Sequence, residues 1–171
     1  MPSRKSKSRS APRWSMYPAL HNDILALLPG DITLPSFHPF DDSRTCTQQY
    51  DTNIMGRFIC SNASCRSTGW SSKKIAITIR LYGDDEYNAR VYHQRCKGCN
   101  ALSRPELDES YAERVAYRIK KWSGVEMERP PYRDRGVSSG PHNSRLCEGC
   151  KDGHCREGGV GMFIMATGLS L

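Results

Sequence analysis

Seven of the eight cysteines fall into three tight groups. Cys60 and Cys65 are spaced C-x4-C, Cys96 and Cys99 are C-x-x-C, and Cys147 and Cys150 are C-x-x-C with Cys155 close behind. Nothing else in the chain restricts its fold as strongly. Loops this short turn two thiolates onto one ion, and an ion that takes four ligands in a tetrahedron makes each pair find another pair in space. Gly98, Gly149 and Gly153 sit inside or beside these loops, where tight turns call for a residue that accepts positive φ. Adding one imidazole to the seven thiols makes eight ligands, enough for two closed sites. His142, ahead of Cys147, is the first choice for that imidazole, and His154, next to Cys155, is its rival.

The segments between the groups suggest how they meet. From Lys74 to Tyr82, Ile75, Ile77, Ile79 and Leu81 alternate with Thr78 and Arg80, the period of a β-strand. Gly83-Asp84-Asp85-Glu86 makes a turn, and Tyr87 to Arg95 alternates again, so the two form an antiparallel hairpin. Cys60 and Cys65 precede the hairpin while Cys96 and Cys99 follow it, so strand pairing would gather those four at one end. His142, Cys147, Cys150 and Cys155 would then make the second site, although spacing alone leaves an exchange of pairs open. Cys46 is left over as a plain, semi-buried thiol.

Two zinc ions suit this donor set best. A histidine among the ligands fits zinc better than an iron–sulfur cluster, and no βαβ context supports a redox C-x-x-C. No apolar stretch follows Met1, so no secretory signal is expected, and the compartment is expected to be intracellular (cytoplasmic or nuclear), where disulfides are rare. A site with four protein ligands has no position for water, so the zinc is expected to be scaffold and the chain not an enzyme. That scaffold would supply folding free energy on the order of 10 kcal/mol per site. The chain needs it, because only 37% of its residues are hydrophobic.

Around this centre, Ala19 to Leu28 reads as a short amphipathic helix closed by Pro29-Gly30, residues 31–50 as a connector, and Arg57 to Cys60 as a short strand. Ser103 and Glu106 form a capping-box pair that predicts a longer helix, with Leu107, Tyr111, Val115 and Ile119 as its buried stripe and Gly124 as its stop. Gly124 to Arg145 is expected to be a surface loop. The expected class is α+β: a zinc-ribbon-like antiparallel hairpin or small sheet, a short N-terminal helix and one long helix in the C-terminal half. The expected divisions are a disordered basic tail over 1–17, a helix and connector over 18–49, the zinc-binding domain over 50–157 and a tail over 158–171. The formal charge of +7 sits mostly in the first tail, where Arg4, Lys5, Lys7, Arg9 and Arg13 precede the first acid, Asp23. No run approaches the ~20 apolar residues of a membrane span.

The chain resembles the 3CxxC-type zinc-finger family between Tyr50 and Cys155. The resemblance rests on Gly56-Arg57-Phe58 before Cys60, Gly69-Trp70-Ser71 after Cys65, and Val91 with Gln94-Arg95-Cys96 and Cys99. It continues through Gly140-Pro141-His142 and Cys147-Glu148-Gly149-Cys150 to Gly153 and Cys155. The Pro-His segment favours His142 as the ligand. The family includes receptor-transporting proteins, which assist surface delivery of chemosensory receptors, and zygote-arrest proteins, whose zinc-finger region binds RNA. The chain is most similar to short, stand-alone fungal members. It departs from the receptor-transporting pattern in its C-x4-C first pair, and it is expected to lack a C-terminal membrane anchor. The leading expectation is a non-enzymatic, zinc-stabilised module that binds a protein partner. The alternative is RNA or single-stranded nucleic acid, bound through Lys73, Lys74, Arg80, Arg90, Tyr92 and Arg95 around the hairpin.

Overall fold

In the computed structural model, residues 11–128 and 141–156 are described. The basic residues up to 10, much of the expected surface loop and the tail after residue 156 lie outside them. In chain order the elements are β1 (Trp14–Ser15), a 3-10 turn (Pro18–Leu20), α1 (His21–Leu25), β2 (Ser36–Phe37), β3 (Gln48–Phe58), β4 (Trp70–Tyr82) and β5 (Glu86–Tyr92). They continue with β6 (Gln94–Arg95), β7 (Leu102–Ser103), β8 (Pro105–Leu107), α2 (Ser110–Trp122), a 3-10 turn (Ser144–Leu146) and α3 (Glu148–Lys151).

The alternation read in residues 75–81 builds the centre. β4 pairs antiparallel with β5 across the Gly83–Asp85 turn and with β3 on its other side, giving the order β1-β5-β4-β3-β8. β2 adds in parallel to the outer edge of β5, while β6 and β7 form a separate two-stranded ribbon. Ile75, Ile77 and Ile79 project to one face and are fully buried with Ile54, Tyr87, Ala89 and Val91. The stripe Tyr111, Val115 and Ile119 of α2 packs there, as do Ile24 and Leu28 from the α1 region. The class is the expected α+β.

The opposite face is also covered, which the sequence did not announce. Ala76, Thr78, Arg80, Asn88 and Tyr92 are all buried, and hydrogen bonds replace the missing apolar contacts. Thr78 donates to Asp51 at 2.7 Å, Tyr82 donates to Asn88 at 3.2 Å, and Asn88 donates to the Phe40 carbonyl at 2.9 Å. Buried polar groups are tolerated when paired in this way.

Four expectations need correction. The longer helix begins at Ser110, not at Ser103: Ser103 ends β7 and accepts from the Ser61 N–H, while Asp108 Oδ1 accepts from the Ser110 N–H at the helix entry. The connector over 31–50 contains β2, and its end opens β3. The short strand expected at residues 57–60 is the last part of that β3, a strand hidden because its outer half is polar. The basic tail was expected to reach residue 17, yet β1 pairs Trp14 with Tyr92 and Ser15 with Val91. Where β8 closes on β3, a Cβ at Gly56 would stand 2.4 Å from the Glu106 carbonyl oxygen, so only glycine permits that approach.

Two candidate metal centres

The first centre forms where β3 ends. Past Phe58 the chain turns through Cys60 and Cys65 and returns as β4, with the Trp70 ring stacked on Phe58 at 4.9 Å and its Nε1 donating to Gln94 at 3.1 Å. Trp70 thus braces the base of the first cysteine loop. Cys96 and Cys99 occupy the turn of the β6–β7 ribbon, held by the Cys96 N–H on Ala101 and the Asn100 N–H on Cys96 at 2.9 and 2.8 Å. The Ser61 side chain donates to the Leu102 carbonyl at 2.8 Å and ties the two loops together.

The four donor sulfurs lie within 4.8 Å of one another. Cys60 and Cys99 Sγ are 3.4 Å apart, and Cys65 and Cys96 Sγ 3.8 Å apart. Zn–S bonds of about 2.3 Å set tetrahedral edges of about 3.8 Å, so the donor set fits zinc. Thiols this crowded do not ionise alike without a cation. The Asn62 N–H would lower Cys60, but desolvation and the Cys99, Cys96 and Cys65 thiols outweigh it and push Cys60 up to about 12. Burial would raise Cys96, yet the N–H groups of Cys99 and Gly98, with Ser67 and Cys60, bring it down to about 6.

The second centre is a hook. Asn143 Oδ1 accepts from the Arg145 N–H and shapes the turn into Cys147, whose Sγ accepts from the Cys150 N–H at 3.4 Å as α3 begins. His142, Cys147, Cys150 and Cys155 bring their donor atoms within 4.8 Å. His142 Nε2 lies 3.2 Å from Cys150 Sγ and 3.6 Å from Cys155 Sγ, matching the edge of about 3.5 Å that mixed Zn–N and Zn–S bonds require. Hydrogen bonding with Cys155, followed by burial, raises the Cys147 thiol. His154 stands outside this group. Its Nδ1 pairs with Asp51 at 2.9 Å and its ring stacks over Tyr92.

The hook is pinned to the polar face of the sheet. Cys147 bridges to Gln94, and the Glu148 N–H donates to the His93 carbonyl at 3.1 Å. The fully buried Glu148 carboxylate takes Arg13, Arg95 and Lys151, the last two at 2.8 Å. Burial alone would raise its pKa, but hydrogen bonds from Lys151, Arg13 and Arg95 lower it to about 2. Gly149 lies so close to the sheet that a Cβ there would meet the Ala76 Cβ at 2.3 Å.

The residues expected to meet nucleic acid do not form one surface. Arg80 is buried and ion-paired with Asp41 while donating to Gln49 at 2.9 Å. Arg90 joins the same sealed Asp41 at 2.6 Å and lies over the Trp14 ring. Tyr92 is wholly buried, Arg95 is held by Glu148, and Lys73 and Lys74 are half-buried and engaged at the start of β4. The reason is pairing: Asp41 and Glu148 neutralise the cations that looked free in sequence. Cys46 joins neither centre, its Sγ lying 3.4 Å from the Ser43 carbonyl. Asp41 and Glu148 are the residues sequence reasoning missed. A lone acid inside C-E-G-C was the available signal for Glu148.

A β-ribbon protein with two four-ligand centres, each able to hold zinc, is the class these features define. Residues 53–153 match the family model of the 3CxxC zinc ribbon, described as a zinc-binding domain, and the chain belongs to that family. No curated protein and no solved structure gives a match. Among the described residues no helix is long and apolar enough to cross a membrane.

Proposed function

We propose that the protein is a non-enzymatic, intracellular binding module whose two zinc centres, ligated by Cys60, Cys65, Cys96 and Cys99 and by His142, Cys147, Cys150 and Cys155, are purely structural, and whose partner is a protein. The observation that carries this reading is closure: each centre gathers four protein donors, which leaves no coordination position for water or substrate. When bound, zinc supplies cross-linking rather than Lewis-acid chemistry. Protein is favoured over RNA because Arg80, Arg90 and Arg95 are engaged by acids within the fold. Apolar side chains meanwhile stand exposed, Ile59 beside the first centre and Phe40 beside the Asp41 pair.

Crosslinking the tagged chain in cells tests the partner class. The expected recovery is a protein complex that resists ribonuclease and changes little with salt. Recovery of crosslinked RNA whose binding weakens steeply with salt would overturn the reading. Closure has its own test. The cobalt-substituted protein should show tetrahedral absorption that added azide leaves unchanged, and a spectral change would mean an open site.

A further inference from the structure

β3 is paired with β4 along its length, but its other edge meets β8 only from Gly56 to Phe58. From Gln48 to Ile54 that edge carries no strand among the described residues. Natural sheets cover or charge such an edge, because unpaired N–H and C=O groups invite another chain. Two cations stand beside this edge, while its own acid, Asp51, is taken by Thr78 and His154. Arg118 from α2 and Arg156 just beyond the hook converge on Tyr50 of β3, their guanidinium carbons 3.2 and 4.5 Å from its ring centroid. Among the described residues neither is ion-paired with an acid.

The pair is under-satisfied. Arg118 Nε is buried without a hydrogen-bond acceptor. Its pKa is lowered, first by desolvation and to a smaller extent by the charge of Arg156, against raising effects of Tyr50 and Tyr117, with Tyr50 also hydrogen-bonding it. Two like charges brought together at a half-buried ring, one with an idle donor, define a place for an anion. One turn to either side of Arg118 on α2 stand Arg114 and Lys121.

We propose that this edge binds an acidic, extended segment of a partner protein, which adds a strand along Gln48–Ile54 and brings a carboxylate within reach of Arg118 and Arg156. The proposal rests on the protein-binding reading above and gives it a location. In strand addition the main-chain ladder supplies affinity and alternate side chains supply specificity. A nucleic-acid strand would meet the arginines but has no peptide ladder to offer the edge, so the combination favours a peptide.

The test uses the full-length, zinc-loaded chain and a labelled peptide of alternating Glu and Thr, followed by fluorescence anisotropy. The peptide should bind, and Arg118→Gln or Arg156→Gln should weaken it by at least about tenfold, the loss expected for a charge-assisted hydrogen bond. Arg156 is exposed, so its variant should keep both zinc ions and its circular dichroism, which separates lost binding from lost fold. A peptide with Gln in place of Glu, or with alternate backbone nitrogens methylated, should not bind.

Equal binding of the Gln peptide, unchanged affinity in both arginine variants, or displacement of the peptide by single-stranded oligouridine would overturn the proposal. So would binding that appears only once residues 158–171 are deleted, which would put the chain's own tail on the edge. If a cellular protein partner is captured and both arginine variants bind it normally, the protein-binding reading stands and this edge assignment falls.

Discussion

In the first centre, Cys60 and Cys65 come from the end of β3 and Cys96 and Cys99 from the β6–β7 ribbon, so the metal joins parts of the chain separated by the whole β4–β5 hairpin. In the second, all four ligands fall between His142 and Cys155, and the site closes on itself. A long loop closed by a metal removes more chain entropy than a short one. The first centre is thus part of the domain's fold. The second is a self-contained hook that must be docked by other means, and Arg13 and Arg95, which reach Glu148 from outside the hook, do the docking.

The sharpest way to break this contrast is to remove one ligand from each. Cys96→Ser should abolish cooperative thermal unfolding, because metal binding worth on the order of 10 kcal/mol rivals the 5–15 kcal/mol or so by which whole domains are stable. Circular dichroism would show it, and a variant that still melts cooperatively would put the two centres on an equal footing. Cys150→Ser should be milder. Zinc content should fall from two ions to one, and hydrogen exchange should accelerate across residues 142–155 and β1 while β3, β4 and α2 stay protected. The loss should be about 3 kcal/mol, the scale for uncovering Tyr92 and Ala76.

The hook can also be lifted without touching a ligand. In Gly149→Ala the new methyl would strike the Ala76 Cβ, and overpacking of this kind costs about 1–2 kcal/mol. Both zinc ions should remain bound while β1 and the hook lose exchange protection together. Loss of zinc instead would mean that docking and ligation are inseparable.

The smallest effect concerns pH. His93 lies under β1, where Ser15 Oγ meets its Nε2 at 2.7 Å. Desolvation and then Arg104 lower it to about 4, against smaller raising effects of the Pro12 backbone and Glu148. The folded chain therefore binds fewer protons than the unfolded one between about pH 4 and 6.5, so this contribution is complete above that window and fades as the pH falls through it. At pH 5.5 the cost is about 1 kcal/mol relative to pH 7.5. His93→Asn should flatten the pH dependence of urea midpoints over that interval by this amount, and an unchanged slope would refute the assignment.

The metal centres and the polar face of the sheet differ in how far the sequence disclosed them. The cysteine spacing and the alternation from Ile75 to Leu81 pointed to the hairpin and to the cysteine groups, because ligation and a two-residue period depend on local pattern. The family resemblance supported His142 over His154, and the pairing of the groups stayed open until the fold. The polar face of the sheet was opaque. Arg80 and Arg90 look like surface cations until Asp41, remote in sequence, is folded against them. Gln48 and Gln49 fall in the expected connector, and the polar Asp51 and Asn53 give no strand signal, so the first part of β3 does not read as a strand. Ser103 and Glu106 matched a capping box, but pairing of β6 with β7 and of β3 with β8 overrode that local preference. What depended on distant partners stayed hidden.

X-ray absorption at the zinc edge of the full-length protein, together with metal counting, tests the central claim most directly. Two zinc ions per chain, sharing seven sulfur ligands and one imidazole nitrogen with no exchangeable oxygen, is the predicted result. A single ion, or an oxygen ligand at either centre, would contradict the account of two closed, structural sites.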